Sequence, residues 1–185
     1  MRRIILLTLL LGGIGTVTAA EQDAVVQRGE YLLHLGGCVS CHTAEGGDKL
    51  AGGLKMETPF GDFYTPNITP DRKTGIGDWS DADFVAAMTR GVAPDGSHYY
   101  PAFPYTSYTH MTREDLIDLK RYIDKQKAVR YENKEHDLSF PFNVRFLMAV
   151  WKVLFFDPEP LHEINEKGPL WNRGNYIVNG PGHCV

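Results

Sequence analysis

Two cysteines three positions apart, followed at once by a histidine, form Cys38-Val39-Ser40-Cys41-His42. Thiols at this spacing can each add to a vinyl group of one haem. The adjacent imidazole is then held under the iron as its proximal ligand. A zinc site would need two more nitrogen or sulfur ligands at suitable spacing, and no second Cys-x-x-Cys is present. A thioredoxin-type pair would follow a strand and open a helix within an α/β pattern, whereas this pair follows Leu35-Gly36-Gly37. The expected chemistry is one complete haem c site, held by Cys38, Cys41 and His42.

Export fits that chemistry, because c-type haem is normally attached outside the cytoplasm. Arg2-Arg3 supply a basic n-region, Ile4 to Leu11 an apolar core, and Thr18-Ala19-Ala20 small residues for cleavage. Gly12, Gly13 and Gly15 interrupt the apolar run, which is then short for a membrane span. Residues 1–20 therefore read as a signal peptide, and the mature protein as periplasmic. Apolar residues make up 43% and charged residues 23%, a globular composition. The formal charge is −4 and becomes more negative without Arg2 and Arg3. Such a chain is a poor candidate for nucleic-acid binding.

The motif needs elements to position it. Val25, Val26, Tyr31, Leu32, Leu33 and Leu35 predict a helix from Asp23 to Leu35. Gly29 in its middle costs about 1 kcal/mol against alanine, which close approach of another helix would explain. Gly36-Gly37 stop this helix and turn the backbone into the motif. From 43 to 78 glycines and prolines recur so often that long regular elements are not expected. Within that stretch Thr65-Pro66-Asn67-Ile68-Thr69-Pro70 reads as a strap along a haem edge. Ser80-Asp81-Ala82-Asp83 and Thr112-Arg113-Glu114-Asp115 each open a helix with a hydroxyl cap and an acid three positions on. Leu116, Leu119, Tyr122 and Ile123 lie on one face of the latter, and Tyr122 is the aromatic for which Gly29 would make room.

An N-terminal helix, a Cys-x-x-Cys-His, a loop-rich middle and a capped last helix resemble a small class I-type cytochrome c domain. Gly91-Val92-Ala93-Pro94-Asp95-Gly96, Tyr100-Pro101-Ala102-Phe103-Pro104-Tyr105 and Ser107-Tyr108 narrow the resemblance. They are similar to phrases in the multihaem cytochrome c subunits of periplasmic alcohol, gluconate and aldehyde dehydrogenases. The resemblance implies an all-α fold: three to four helices with long loops around a covalent haem, plus a C-terminal apolar helical extension. It also implies electrons arriving from a periplasmic dehydrogenase catalytic subunit and leaving toward quinone or a terminal oxidase. The chain would then be an electron-transfer subunit and not a catalyst. Tyr64, Trp79, Tyr100 and Tyr105 are expected to wall the haem.

A low-spin electron-transfer haem usually carries a methionine opposite its histidine. The position most like the family's loop methionine holds Phe103, which cannot ligate iron. Met111, immediately before the cap Thr112, is the candidate sixth ligand, and its other role is a hydrophobic staple. His98 and His110 come next; Met88 reads as core and Met56 as remote. An open or labile sixth position would instead suit a small-ligand sensor or a peroxidase-like enzyme.

From Ser139 to Phe156 the chain is apolar and aromatic, broken by Arg145 and Lys152, so it cannot pass as a span. It predicts an amphipathic helix that packs on the haem domain, a partner or a membrane surface. Arg28-Gly29-Glu30-Tyr31-Leu32-Leu33 returns as Arg173-Gly174-Asn175-Tyr176-Ile177-Val178, ahead of Cys184. In the resembled family such a phrase opens a second haem domain, so Cys184 is expected to be the first cysteine of an incomplete second motif. The expected organisation is a leader over 1–20, a haem domain over 21–130, a linker with the amphipathic helix over 131–172, and the start of a second domain over 173–185.

Overall fold

The computed structural model describes residues 19–184, so the leader expected over 1–20 lies outside the described residues except for Ala19 and Ala20. Helix α1 (Ala19–Leu35) starts earlier than the apolar pattern alone predicts and buries Gly29, Leu32 and Leu33. Its main partner is α5 (Arg113–Ile123), which buries Leu116, Leu119, Tyr122 and Ile123. Burial of each large apolar side chain stabilises by roughly 1.5–3 kcal/mol. Gly29 sits at the crossing. A Cβ there would run into the Asp118 carbonyl and stand 2.7 Å from Tyr122 Cβ. Tyr122 donates its hydroxyl to Glu30 at 2.9 Å, and Arg28 reaches Asp118 at 3.3 Å, so polar contacts flank the glycine.

Both predicted caps form. The hydroxyl of Ser80 accepts from Asp83 N at 3.1 Å, and the Asp83 carboxylate accepts from Ser80 N at 2.9 Å. This opens α3 (Asp81–Arg90), which Gly91 closes in the left-handed conformation. Thr112 accepts from Asp115 N at 3.1 Å at the start of α5. Two single-turn helices, α2 (Cys38–Cys41) and α4 (Tyr105–Tyr108), lie between these elements.

The expectation of an all-α fold is corrected by a small sheet. Strands β1 (Lys55–Thr58), β2 (Gly61–Tyr64) and β3 (Asp137–Leu138) form an antiparallel sheet in that order. Met56 pairs with Phe63, and both pack with Tyr100 and Leu138 in a second small core. Four-residue strands are too short for alternation to stand out in a glycine- and proline-rich stretch.

The chain after α5, expected to become a linker at 131, instead runs back along the loop-rich middle. Val129 N and Tyr131 N donate to Thr69 and Thr74, each at 3.1 Å, and Tyr64 N donates to His136 Nδ1 at 3.2 Å. Helix α6 (Leu147–Phe155) follows, and its polarity is inverted. Lys152 turns inward, donating from Nζ to the carbonyls of Arg90 and Gly91 at 2.7 and 2.5 Å. The same Nζ lies 4.6 Å from the centre of the buried Tyr105 ring. Val153 and Phe155 face outward, 86% and 70% exposed. Helix α7 (Pro169–Asn179), with proline in its first turn, carries the repeated phrase. Among the described residues no helix is long and apolar enough to cross a membrane.

Candidate haem site

The motif is presented at the end of α1. Gly36 N closes the last turn on Leu32 O at 2.8 Å, and Gly37 takes a left-handed φ of 62°. The reversal opens α2, whose one turn puts Cys38 and Cys41 on neighbouring positions of a helical face. His42 N then donates to Cys38 O at 2.8 Å, which closes the turn that carries both cysteines. Cys38, half-buried, and Cys41, exposed, are both free thiols.

His42 is held from the far side of the loop. Its Nδ1 lies 2.8 Å from the Pro66 carbonyl oxygen. A carbonyl can only accept, so Nδ1 carries the proton and Nε2 keeps its lone pair for a metal. Gly52, with φ 77°, allows the two segments to meet: a Cβ there would strike the Pro66 backbone. Its own N–H donates to His42 O at 2.8 Å. Burial pushes the His42 pKa down, and the Pro66 hydrogen bond partly opposes that.

The same geometry tells against the rival uses of the cysteines. Burial pushes the Cys38 thiol up to about 12. Redox-active Cys-x-x-Cys pairs depend on a lowered thiol pKa, the opposite of what this site provides. Among the described residues no cluster of histidine, cysteine, aspartate or glutamate could hold a zinc ion. Two free thiols, an oriented imidazole and an apolar wall fit a covalently attached haem.

That wall is only partly the one expected. Cys38 and Val39 pack against a core that includes Tyr108 and Met111, joined by Ile68, Trp79 and Phe103. Trp79 packs against this same core. Tyr64 and Tyr100 are not brought there: Tyr64 lies beneath Lys134, and Tyr100 belongs to the sheet's own cluster. Tyr105 is buried nearby, packed on Gly91 and 5.1 Å from the Phe156 ring. Tyr108, which no pattern in the sequence marked as part of the wall, donates to Gly36 O at 3.2 Å beside the cysteines. Burial, with the two thiol groups nearby, raises its pKa.

Met111 is 4% exposed and shares the core cluster with Leu116, the residue a staple would use. Met88 is core on α3, and Met56 is on β1 in the other cluster. His98 meets Lys152 at 3.1 Å, and His110 meets Glu159 O at 2.9 Å, so both engage the C-terminal extension. Cys184 is exposed, and its neighbour His183 meets the Tyr108 ring edge-on at 5.6 Å, on the side of the first motif. Gly180 lies against Met111, where an added Cβ would be 3.7 Å from Met111 Cγ.

Comparison with known proteins agrees with the geometry. Residues 26–127 match the cytochrome c family. A nicotinate dehydrogenase subunit of Pseudomonas putida is 45% identical over 94% of this chain and 14% of its own length. The gluconate 2-dehydrogenase cytochrome c subunit of Pantoea cypripedii is 42% identical over 97% of this chain and 42% of its own. A diheme cytochrome c-type protein of Cereibacter sphaeroides is 44% identical over 85% and 54%. The chain thus spans about half or less of each of these relatives. By fold, motif and similarity, the chain belongs to the cytochrome c family.

Proposed function

We propose that this chain is an electron carrier, passing electrons from a periplasmic dehydrogenase catalytic subunit toward quinone or a terminal oxidase. The observation that carries the reading is the oriented His42, its Nδ1 committed to Pro66 while two free thiols stand three residues apart beside it. A haem bound there would supply iron that alternates between the ferric and ferrous states. Cys38 and Cys41 would hold the macrocycle through thioethers, and His42 would supply the nitrogen ligand to its iron. Met111 is the sixth ligand in this reading, supported by its burial in the cluster that also receives Cys38 and Val39.

The relatives named as cytochrome subunits of gluconate and alcohol dehydrogenases support a dehydrogenase partner. Residues 139–156 are the surface offered to that partner or to a membrane surface, because apolar side chains face outward there. A gas sensor or peroxidase would want a histidine or arginine poised over the iron. His98 and His110 are engaged by Lys152 and by the Glu159 backbone, which favours the carrier.

The test is the visible spectrum of the haem-loaded protein before and after carbon monoxide, repeated on Met111→Leu. A reduced wild type that ignores carbon monoxide and a variant that binds it establish the carrier and its ligand. Ready binding by the wild type overturns the closed sixth position and supports ligand chemistry instead.

A further inference from the structure

A line of hydrogen bonds joins His42 to the strap after α5, and it passes through a single peptide unit. His42 Nδ1–H donates to the Pro66 carbonyl at 2.8 Å. The N–H of that same peptide belongs to Asn67 and donates to Asn133 Oδ1 at 2.7 Å. An amide engaged at its N–H polarises, and its carbonyl becomes a stronger acceptor. Chains of this kind strengthen by on the order of 10–30% per bond.

The peptide cannot easily tilt to relax. Gly52 is packed on the Pro66 backbone, Gly53 N donates to Thr65 O at 2.8 Å, and Ile68 N donates to Leu50 O at 2.9 Å. The Asn67 side chain is 1% exposed and fully used. Its Nδ2 donates to Val129 O at 2.7 Å and Thr74 Oγ1 at 3.0 Å. Its Oδ1 accepts from Thr69 N at 2.9 Å and Thr69 Oγ1 at 2.7 Å. Asn133 completes the clamp by donating from Nδ2 to Thr74 O at 3.0 Å. Yet Asn133 itself lies on an exposed strap, 91 residues along the chain from His42.

We propose that Asn133 is a positioning residue for the proximal ligand, acting through the Pro66–Asn67 peptide on the hydrogen bond that His42 Nδ1–H makes. A stronger pull on that proton makes Nε2 a better donor to iron. Better donation favours the ferric state and lowers the potential. Loss of the Asn133 carbonyl therefore weakens the pull and raises the potential.

The inference rests on His42 as the proximal ligand of a covalent haem, and the experiment separates the two. Wild type, Asn133→Ala and Asn133→Asp are prepared with haem attached, which a pyridine haemochrome spectrum verifies. Redox titration is combined with solvent exchange of the His42 ring N–H, followed by NMR on histidine labelled with nitrogen-15. Asn133→Ala should raise the potential by a shift in the ferric/ferrous equilibrium approaching tenfold, about 59 mV for one electron. Its ring N–H should exchange faster. Asn133→Asp keeps an acceptor for Asn67 N–H and gives it a negative charge, so it should move the potential down rather than up and leave the ring N–H exchange no faster. An unmoved potential and unchanged exchange in haem-loaded Asn133→Ala would overturn the inference, even if its melting temperature fell. A wild type without covalent haem would instead overturn the assignment of the site beneath it.

Discussion

The chain uses one phrase twice, and the two copies do different work. In α1, Arg28-Gly29-Glu30-Tyr31-Leu32-Leu33 sets Gly29 hard against α5 and buries both leucines, at 1% and 0% exposure. In α7, Arg173-Gly174-Asn175-Tyr176-Ile177-Val178 leaves Gly174 facing open space, and the helix buries none of its residues. The tyrosines exchange roles as well. Tyr31 is 47% exposed, whereas Tyr176 donates to the Asp115 carboxylate at 2.7 Å and accepts from Thr112 N at 3.2 Å. The phrase therefore encodes a helix with a small-residue notch, but a neighbour must fill the notch before the glycine matters.

The largest test of this contrast lies at the cysteines that follow each copy. Replacing Cys38 and Cys41 together by alanine should abolish covalent haem, seen as loss of haem staining on a denaturing gel. Cys184→Ala should leave haem at the first motif at the wild-type level. Equal losses in both proteins would remove the distinction between the two copies.

The glycines come next in size, and here even the sign differs. Alanine in a helix interior is favoured over glycine by about 1 kcal/mol, so Gly174→Ala should stabilise by up to roughly that amount. At Gly29 the added methyl meets the Asp118 backbone, which cannot rotate away. Overpacking of this kind costs roughly 1–3 kcal/mol, so Gly29→Ala should be destabilising overall. Chemical denaturation of both variants reads the two signs directly.

These contrasts mark what was legible in the sequence. Caps at Ser80 and Thr112 could be read because the partner atoms sit three residues away. The match of Gly29 to Tyr122 could be read because a mid-helix glycine needs a reason, and one aromatic stood on the right face of a well-patterned helix. Pro66, Asn67 and Asn133 could not be assembled, since no local period links positions so far apart to His42. The sheet was missed because its strands are four residues or fewer and their partner β3 lies beyond α5. Lys152 was missed for a different reason. A lysine in an apolar helix normally marks the solvent face, and here carbonyls at the end of α3 draw it inward.

A smaller effect is expected at the tyrosines. Tyr176→Phe removes a hydrogen bond to a charged acceptor, and such bonds contribute about 1.5–3 kcal/mol, with the low end apt for a half-buried pair. Tyr31→Phe should fall within about 0.5 kcal/mol, as substitutions at exposed positions do. Thermal melts of the two variants would weaken the contrast if both moved equally.

The last contrast lies in α6, where the extension departs furthest from α1. Leu32 and Leu33 are apolar and inside, while Val153 and Leu154 are apolar and outside, at 86% and 65% exposure. A side chain already in water loses little burial when it is made polar, so Val153→Ser with Leu154→Ser should shift the unfolding free energy by no more than about 1 kcal/mol. Lys152→Met in the same helix behaves differently, because it removes the donor to the Arg90 carbonyl, whereas the Gly91 carbonyl keeps Tyr99 N–H at 2.8 Å. An unsatisfied buried polar group costs about 1–3 kcal/mol, so the single inward change should outweigh the double outward one. Desolvation also holds Lys152 at about 8, below its ordinary value of 10.5. The unfolded chain then binds more protons between these values, so Lys152 makes stability rise with pH across that window, on the order of 2 kcal/mol. Lys152→Met should lack that rise relative to wild type, and the outward double variant should keep it. If the outward pair proves the costlier change, α6 is held by its apolar face, and the inverted reading of this helix fails.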